Sequence, residues 1–243
     1  MTGLFVWKEP RKGQKGVIVR ECSVLHVRFF QAEIARGFKT PEAVLRRRVM
    51  TAGKKLQKLG VREVVLAEWF PFEEQLKKCG LQPISTLPLR RMLAADWVRA
   101  ALEESQLPTG GAKVGVTAAQ LTGQVVRTVT ELVLRHRYVL LDVPYGGEEL
   151  CRRLRREYGV SLLLEPDLKQ LEEADVLVAF DRRENLAARN AIVIPLYEES
   201  VTMPPLSLPP ALEERLPLGV NRTQILAFLQ NAGVIRPGVD LTF

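Results

Sequence analysis

The chain has 243 residues, 47% of them hydrophobic and 26% charged, ordinary values that exclude a disordered tail, a collagen-like chain and a disulfide-stapled miniprotein. The net charge is +7, and the surplus is N-terminal: residues 1–110 carry 20 Lys and Arg against 11 Asp and Glu, whereas residues 111–200 carry 12 against 14. A basic half attracts nucleic acid, anionic lipid or an acidic protein, and net charge alone does not choose among them.

Residues 4–8 and 16–20 are short apolar runs separated by a polar loop, which predicts an opening β-hairpin. A helix is expected over 41–59. Thr40 is placed to cap it, Pro41 suits its first position and Gly60 ends it. Leu45, Val49, Ala52, Leu56 and Leu59 recur at steps of four and three as one apolar stripe. Arg47, Arg48, Lys54, Lys55 and Lys58 lie off that stripe, a cationic outer face and the candidate surface for an anionic partner. Residues 61–68 read as a strand, 72–79 as a short helix stopped by Gly80, and 81–84 as an extended piece that Pro83 keeps from a central position. One helix over 89–104 completes a basic α/β domain, 1–107, and the Pro- and Gly-containing stretch 106–111 is the expected linker.

The second half alternates regularly. Strands are expected over 113–117, 138–143, 160–164, 175–180 and 191–196, with helices over 121–135, 148–158 and 168–173. Apolar strands spaced by helices predict a parallel sheet covered on both faces. This alternation, with the run Leu171-Glu172-Glu173-Ala174-Asp175-Val176-Leu177-Val178 entering the fourth strand, resembles the broad Rossmann-like superfamily over residues 111–197. The expected fold class is therefore α/β: a Rossmann-like, doubly wound, mostly parallel sheet over 111–200, preceded by the smaller basic domain. Residues 201–220 hold five prolines and are expected to run as an extended arm, neither helix nor central strand. Asn221 should cap a last helix to about residue 230, and 234–243 should return as a tail, so that 201–243 forms a third segment.

In a doubly wound sheet, ligands bind outside the carboxyl ends of the strands, where the strand order reverses. After the first strand of the second half, Thr117 and Thr122 offer hydroxyl groups, and Gly123 is the single glycine of the loop. The dinucleotide pattern G-x-G-x-x-G is absent, as is a P-loop, and both threonines serve equally well as helix caps. Asp142 stands near the end of the second strand, where nicotinamide enzymes grip the ribose hydroxyls. Tyr145, Gly146 and Gly147 follow, ahead of a helix that opens with Glu148 and Glu149. Those acids would repel a phosphate, which favours a tight strand-to-helix turn. Asp181 and Arg182 follow the fourth strand, an acid able to serve as base and a cation able to hold an anion. Arg152, Arg153, Arg155 and Arg156 crowd one helix, with Glu148 and Glu149 four residues ahead of the first two and expected to pair with them.

Cys22, Cys79 and Cys151 are far apart, which points to reduced thiols rather than a disulfide framework. With His26 and His136 as the only histidines, no metal site is expected, and His136 reads as a helix-end residue. No stretch is long and apolar enough to span a membrane and the start lacks the order of a signal peptide, so the expected compartment is the cytoplasm. Three readings follow. The first is a non-catalytic protein that binds a partner protein or a small ligand, in a cleft between two domains or on the basic N-terminal face, and needs no cofactor. The second is a divergent nucleotide- or NAD(P)-dependent enzyme, with the nucleotide or dinucleotide held by Thr117, Thr122, Gly123 and Asp142. The third is nucleic-acid binding through the basic helix 41–59.

Overall fold

A computed structural model of the chain describes residues 1–10, 16–183, 190–236, 238 and 240–243. The chain packs as two compact units, residues 1–86 with 208–236 and residues 87–207 with 237–243. The division after Thr86 lies ahead of the 106–111 stretch.

The first unit is built on a five-stranded sheet. Its elements are β1 (Thr2–Lys8), β2 (Val17–Val24), β3 (Val27–Ala35), α1 (Glu42–Lys58), β4 (Glu63–Val65), α2 (Glu73–Lys77) and β5 (Gln82–Pro83), and the strand order is β2-β3-β1-β4-β5. The expected hairpin between residues 4–8 and 16–20 does not form. β1 instead runs parallel between β3 and β4, and the hairpin joins β2 to β3. Burial explains the choice, since Leu4 and Phe5 are fully buried and Val6 nearly so. A strand apolar on both faces gains most from a central position. β5, with its proline, is the edge strand that the sequence predicts.

α1 buries Leu45, Val49, Ala52 and Leu56 against the sheet, while Leu59 at its end stays exposed. Thr40 does not cap it. Pro41 is the capping residue, and the Thr40 hydroxyl accepts from Gly37 N–H at 2.9 Å. The helix stops as expected at Gly60, whose N–H donates to Gln57 while Val61 N–H donates to Leu56.

The second unit opens with two helices where one was expected, α3 (Leu87–Met92) and α4 (Ala94–Glu104), separated at Leu93. Then come β6 (Lys113–Thr117), α5 (Gly123–Arg135), β7 (Tyr138–Asp142), α6 (Gly147–Tyr158), β8 (Leu163–Leu164), α7 (Leu168–Glu172), β9 (Val176–Ala179) and β10 (Ile192–Pro195). All five strands are parallel, in the order β10-β9-β6-β7-β8. The order reverses between β6 and β9, as in a Rossmann-type doubly wound sheet. Val114, Val116, Val139, Leu141, Val176 and Val178 fill one face, which right-handed crossovers cover with α5 and α6. On the other face Gly115 lies in register between Leu140 and Leu177. Its missing side chain lets α7 settle on the sheet, for a Cβ there would sit 3.4 Å from Leu171.

The Pro-rich arm is not uniformly extended. Pro210–Glu213 forms a one-turn helix, α8, because proline is accepted in a first helical turn. α9 (Arg222–Asn231) follows, capped by Asn221 as expected. α9 belongs to the first unit. Phe228 packs on Phe29 with ring centroids 4.8 Å apart, on the sheet face opposite α1, and Gln224 Oε1 accepts from Leu66 N–H at 2.8 Å. Thr242 of the tail pairs with Ser207 in the second unit.

Candidate functional site

The carboxyl edge of the second sheet is where the strand ends deliver chemistry, and the structure sorts the expected residues there into four groups. The first is a pocket of about 300 Å3 at the point of strand reversal. Thr122, Ala119 and Gln120 come to it from the β6–α5 loop, Phe180 and Asp181 from the end of β9, and Arg91 from α3. Thr122 also caps α5, its hydroxyl accepting from Val125 N–H at 3.4 Å. Asp181 Oδ2 accepts from Ala119 N–H at 2.8 Å, which ties the two loops together. Arg91 donates from Nε to Leu196 O at 3.1 Å.

The second group is a stitch across the strand ends. Arg183 forms an ion pair with Asp142 and donates from Nη2 to Ala118 O at 3.1 Å and Asp142 O at 3.3 Å. Ala118 N–H donates to Asp142 O at 3.1 Å. The loop after β9 thus reaches over β6 to the end of β7. The Asp142 carboxylate, expected to be open to a ribose, already holds a cation. Arg183 stands beside Arg182 in the sequence as a second cation able to hold an anion, and its pairing with Asp142 is what the sequence did not show. Arg182 was the residue singled out, and it is exposed. Residues 184–189, between β9 and β10, lie outside the described residues.

The third group is the β7–α6 turn. Tyr145, Gly146 and Gly147 line a second pocket of about 310 Å3 with Val143, Leu164 and Glu165. Gly146 has φ of +82°, and a Cβ there would stand 3.0 Å from Leu121 Cδ2. The close approach that this glycine permits is made by Leu121 of the neighbouring loop. Gly147 is buried against Leu164 of β8, and Tyr145 is 86% exposed. The turn is therefore a packed strand-to-helix connection, as the sequence favoured.

The fourth group is set aside from the surface or left plain. Thr117 is fully buried and its hydroxyl has no hydrogen-bond partner, so it offers nothing to a ligand outside. Gly123 opens α5 with free space where its Cβ would be. The expected pairs of Glu148 and Glu149 with Arg152 and Arg153 are absent among the described residues.

In the first unit the cationic face of α1 is partly committed. Arg48 donates to Ala35 O and Lys55, itself exposed, to Val17 O at 3.5 Å, and Arg47, Lys54 and Lys58 are exposed as well. Burial pushes the Cys79 thiol up, and that of Cys22 likewise, away from the reactive thiolate. His136 ends α5, buried, with Nδ1 2.5 Å from Thr109 O. Burial holds its pKa below the ordinary value, and Arg135 adds to that effect against the raising influence of Thr109 O. Among the described residues no group of three His, Cys, Asp or Glu converges on a possible metal position, and no helix is long and apolar enough to cross a membrane.

No protein-family model and no curated protein matches the sequence. Solved structures with similar backbones include L-tryptophan dehydrogenase from Nostoc punctiforme, 13% identical over 68% of this chain and 50% of that one, with a TM-score of 0.33. Shikimate 5-dehydrogenase from Listeria monocytogenes is 10% identical over 63% of this chain and 58% of that one, with a TM-score of 0.29. The catalytic subunit of M. jannaschii aspartate transcarbamoylase is 13% identical over 73% and 60%, also with a TM-score of 0.29. The chain thus spans half to three-fifths of the length of these proteins. At such TM-scores the likeness carries no functional argument, and the doubly wound α/β fold rests on the strand order itself.

Proposed function

We propose that the protein is a non-catalytic Rossmann-type binding protein whose second unit takes a small polar ligand in the pocket between the β6–α5 loop and the end of β9. The observation that carries this reading is the capture of Asp142 by Arg183. In the dinucleotide mode the acid at that strand end accepts the ribose hydroxyls, and a glycine loop brings the backbone to the pyrophosphate. Here the acid is neutralised from within, and the loop offers Thr122 as a cap instead of glycines. The pocket volume, about 300 Å3, sits at the bottom of the usual range of roughly 300–1,000 Å3 for ligand sites, which favours a small occupant. Arg91 and Asp181 supply the polar groups to orient it.

The test is a melting-temperature titration of the full chain with NAD, NADP and ATP, beside native mass spectrometry of protein purified at low salt. The expected result is no dinucleotide shift that depends on Asp142, and a small bound mass that Asp181→Asn removes. A saturable shift with NAD or NADP that Asp142→Asn abolishes would overturn the reading in favour of the dinucleotide enzyme.

A further inference from the structure

The face of α6 turned toward α5 carries cations that the packing does not use. Arg152, Arg153 and Arg156 line one cleft of about 470 Å3, and Leu121, Val126 and the buried Leu150 make its apolar floor. All three arginines are exposed, and among the described residues none forms an ion pair. Glu148 and Glu149 are one turn away at the spacing that normally pairs, yet no pair forms. Like charges three and four residues apart weaken a helix, so three unpaired guanidinium groups within little more than one turn are held at a cost. Among the described residues Glu149 is the single carboxylate lining the cleft.

We propose that this cleft binds a small organic polyphosphate, its phosphates on Arg152, Arg153 and Arg156 and its less polar body on Leu121, Val126 and Leu150. The planar guanidinium fork matches phosphate oxygens two at a time, which a scatter of lysines does not. Three such forks against one carboxylate call for more than one negative charge on the ligand. The volume falls within the range of small-molecule sites, and the apolar floor distinguishes a ligand with an organic body from a bare phosphate chain. The site does not depend on the function proposed for the strand-reversal pocket, since it shares none of that pocket's lining residues.

The experiment is isothermal titration of the full chain, at fixed ionic strength, with inorganic tripolyphosphate and with ATP. One saturable site is expected, tighter for ATP than for tripolyphosphate. The double variant Arg152→Ala, Arg156→Ala should weaken it by about tenfold or more, the loss of roughly 1.4 kcal/mol or more of binding. Glu149→Gln should tighten it. The charge-matched variant Lys77→Ala, Lys78→Ala, exposed positions on and just after α2, should leave affinity unchanged, and melting curves confirm that each variant is folded. Absence of saturable binding, or equal loss in both double variants, overturns the proposal. Equal affinity for ATP and tripolyphosphate overturns the part assigned to the apolar floor.

Discussion

Arg183 and Asp142 are 41 residues apart in sequence and meet across the end of β6, the strand that lies between their own. Both side chains are about three-quarters buried, and Arg183 also satisfies two backbone carbonyls. Arg183→Ala leaves a partly buried carboxylate and the Ala118 carbonyl without a donor, while Asp142 O keeps the Ala118 N–H. The expected cost is about 1–3 kcal/mol, the usual penalty for stranding such groups. The double variant with Asp142→Ala should cost less than the sum of the two single changes, because the pair is removed together. Urea unfolding of the four proteins checks this.

Gly146 and Gly123 should respond in opposite ways to alanine. At Gly146 a side chain meets both a left-handed backbone and Leu121 Cδ2, so Gly146→Ala is expected to destabilise by about 1–2 kcal/mol or more. At Gly123 there is open space and no positive φ, so Gly123→Ala should be neutral or stabilising by about 0.4–1 kcal/mol. Thermal unfolding separates the two.

Gln224 joins α9 to the end of β4 through Leu66 N–H, and it is 7% exposed. Gln224→Leu keeps the apolar bulk and removes the acceptor. The stranded donor should cost about 1–3 kcal/mol, and hydrogen exchange at the Leu66 amide should quicken. An unchanged exchange rate would show that this bond does not hold the helix to the sheet.

His136 predicts a pH dependence. Its folded pKa lies below the ordinary 6.5, chiefly through burial. As pH falls below that ordinary value the unfolded chain takes up the proton first, so stability is full above it and drops toward the folded pKa. The variant His136→Asn should lose this part of the profile, read as the difference between wild type and variant in melting temperature from neutral to mildly acidic pH.

Local chemistry was legible wherever a residue answers to its own neighbours. The stripe Leu45, Val49, Ala52 and Leu56, the caps at Thr122 and Asn221, and the stop at Gly60 appear where the sequence predicts them. The alternation over 111–197 likewise foretold the parallel sheet. The β2–β3 hairpin was illegible because its turn, Leu25 and His26 at φ of 47° and 70°, uses neither of the residues that announce positive φ, glycine and asparagine. The surrounding pairs, such as Val24 with Val27, hold that turn in place. One helix became α3 and α4 for a similar reason, since no proline or glycine marks the break at Leu93.

Periodicity, caps and composition therefore determined most of the helices and strands in this chain, β3, the α3–α4 break and α8 excepted, since those choices rest on interactions within a few residues. Only the tertiary structure decided that β1 enters the sheet between β3 and β4, that α9 closes the first unit, and that Arg183 rather than a ligand holds Asp142. Each of these is a pairing between distant segments, chosen by buried area and by the need of every buried polar group for a partner, and no local pattern records it.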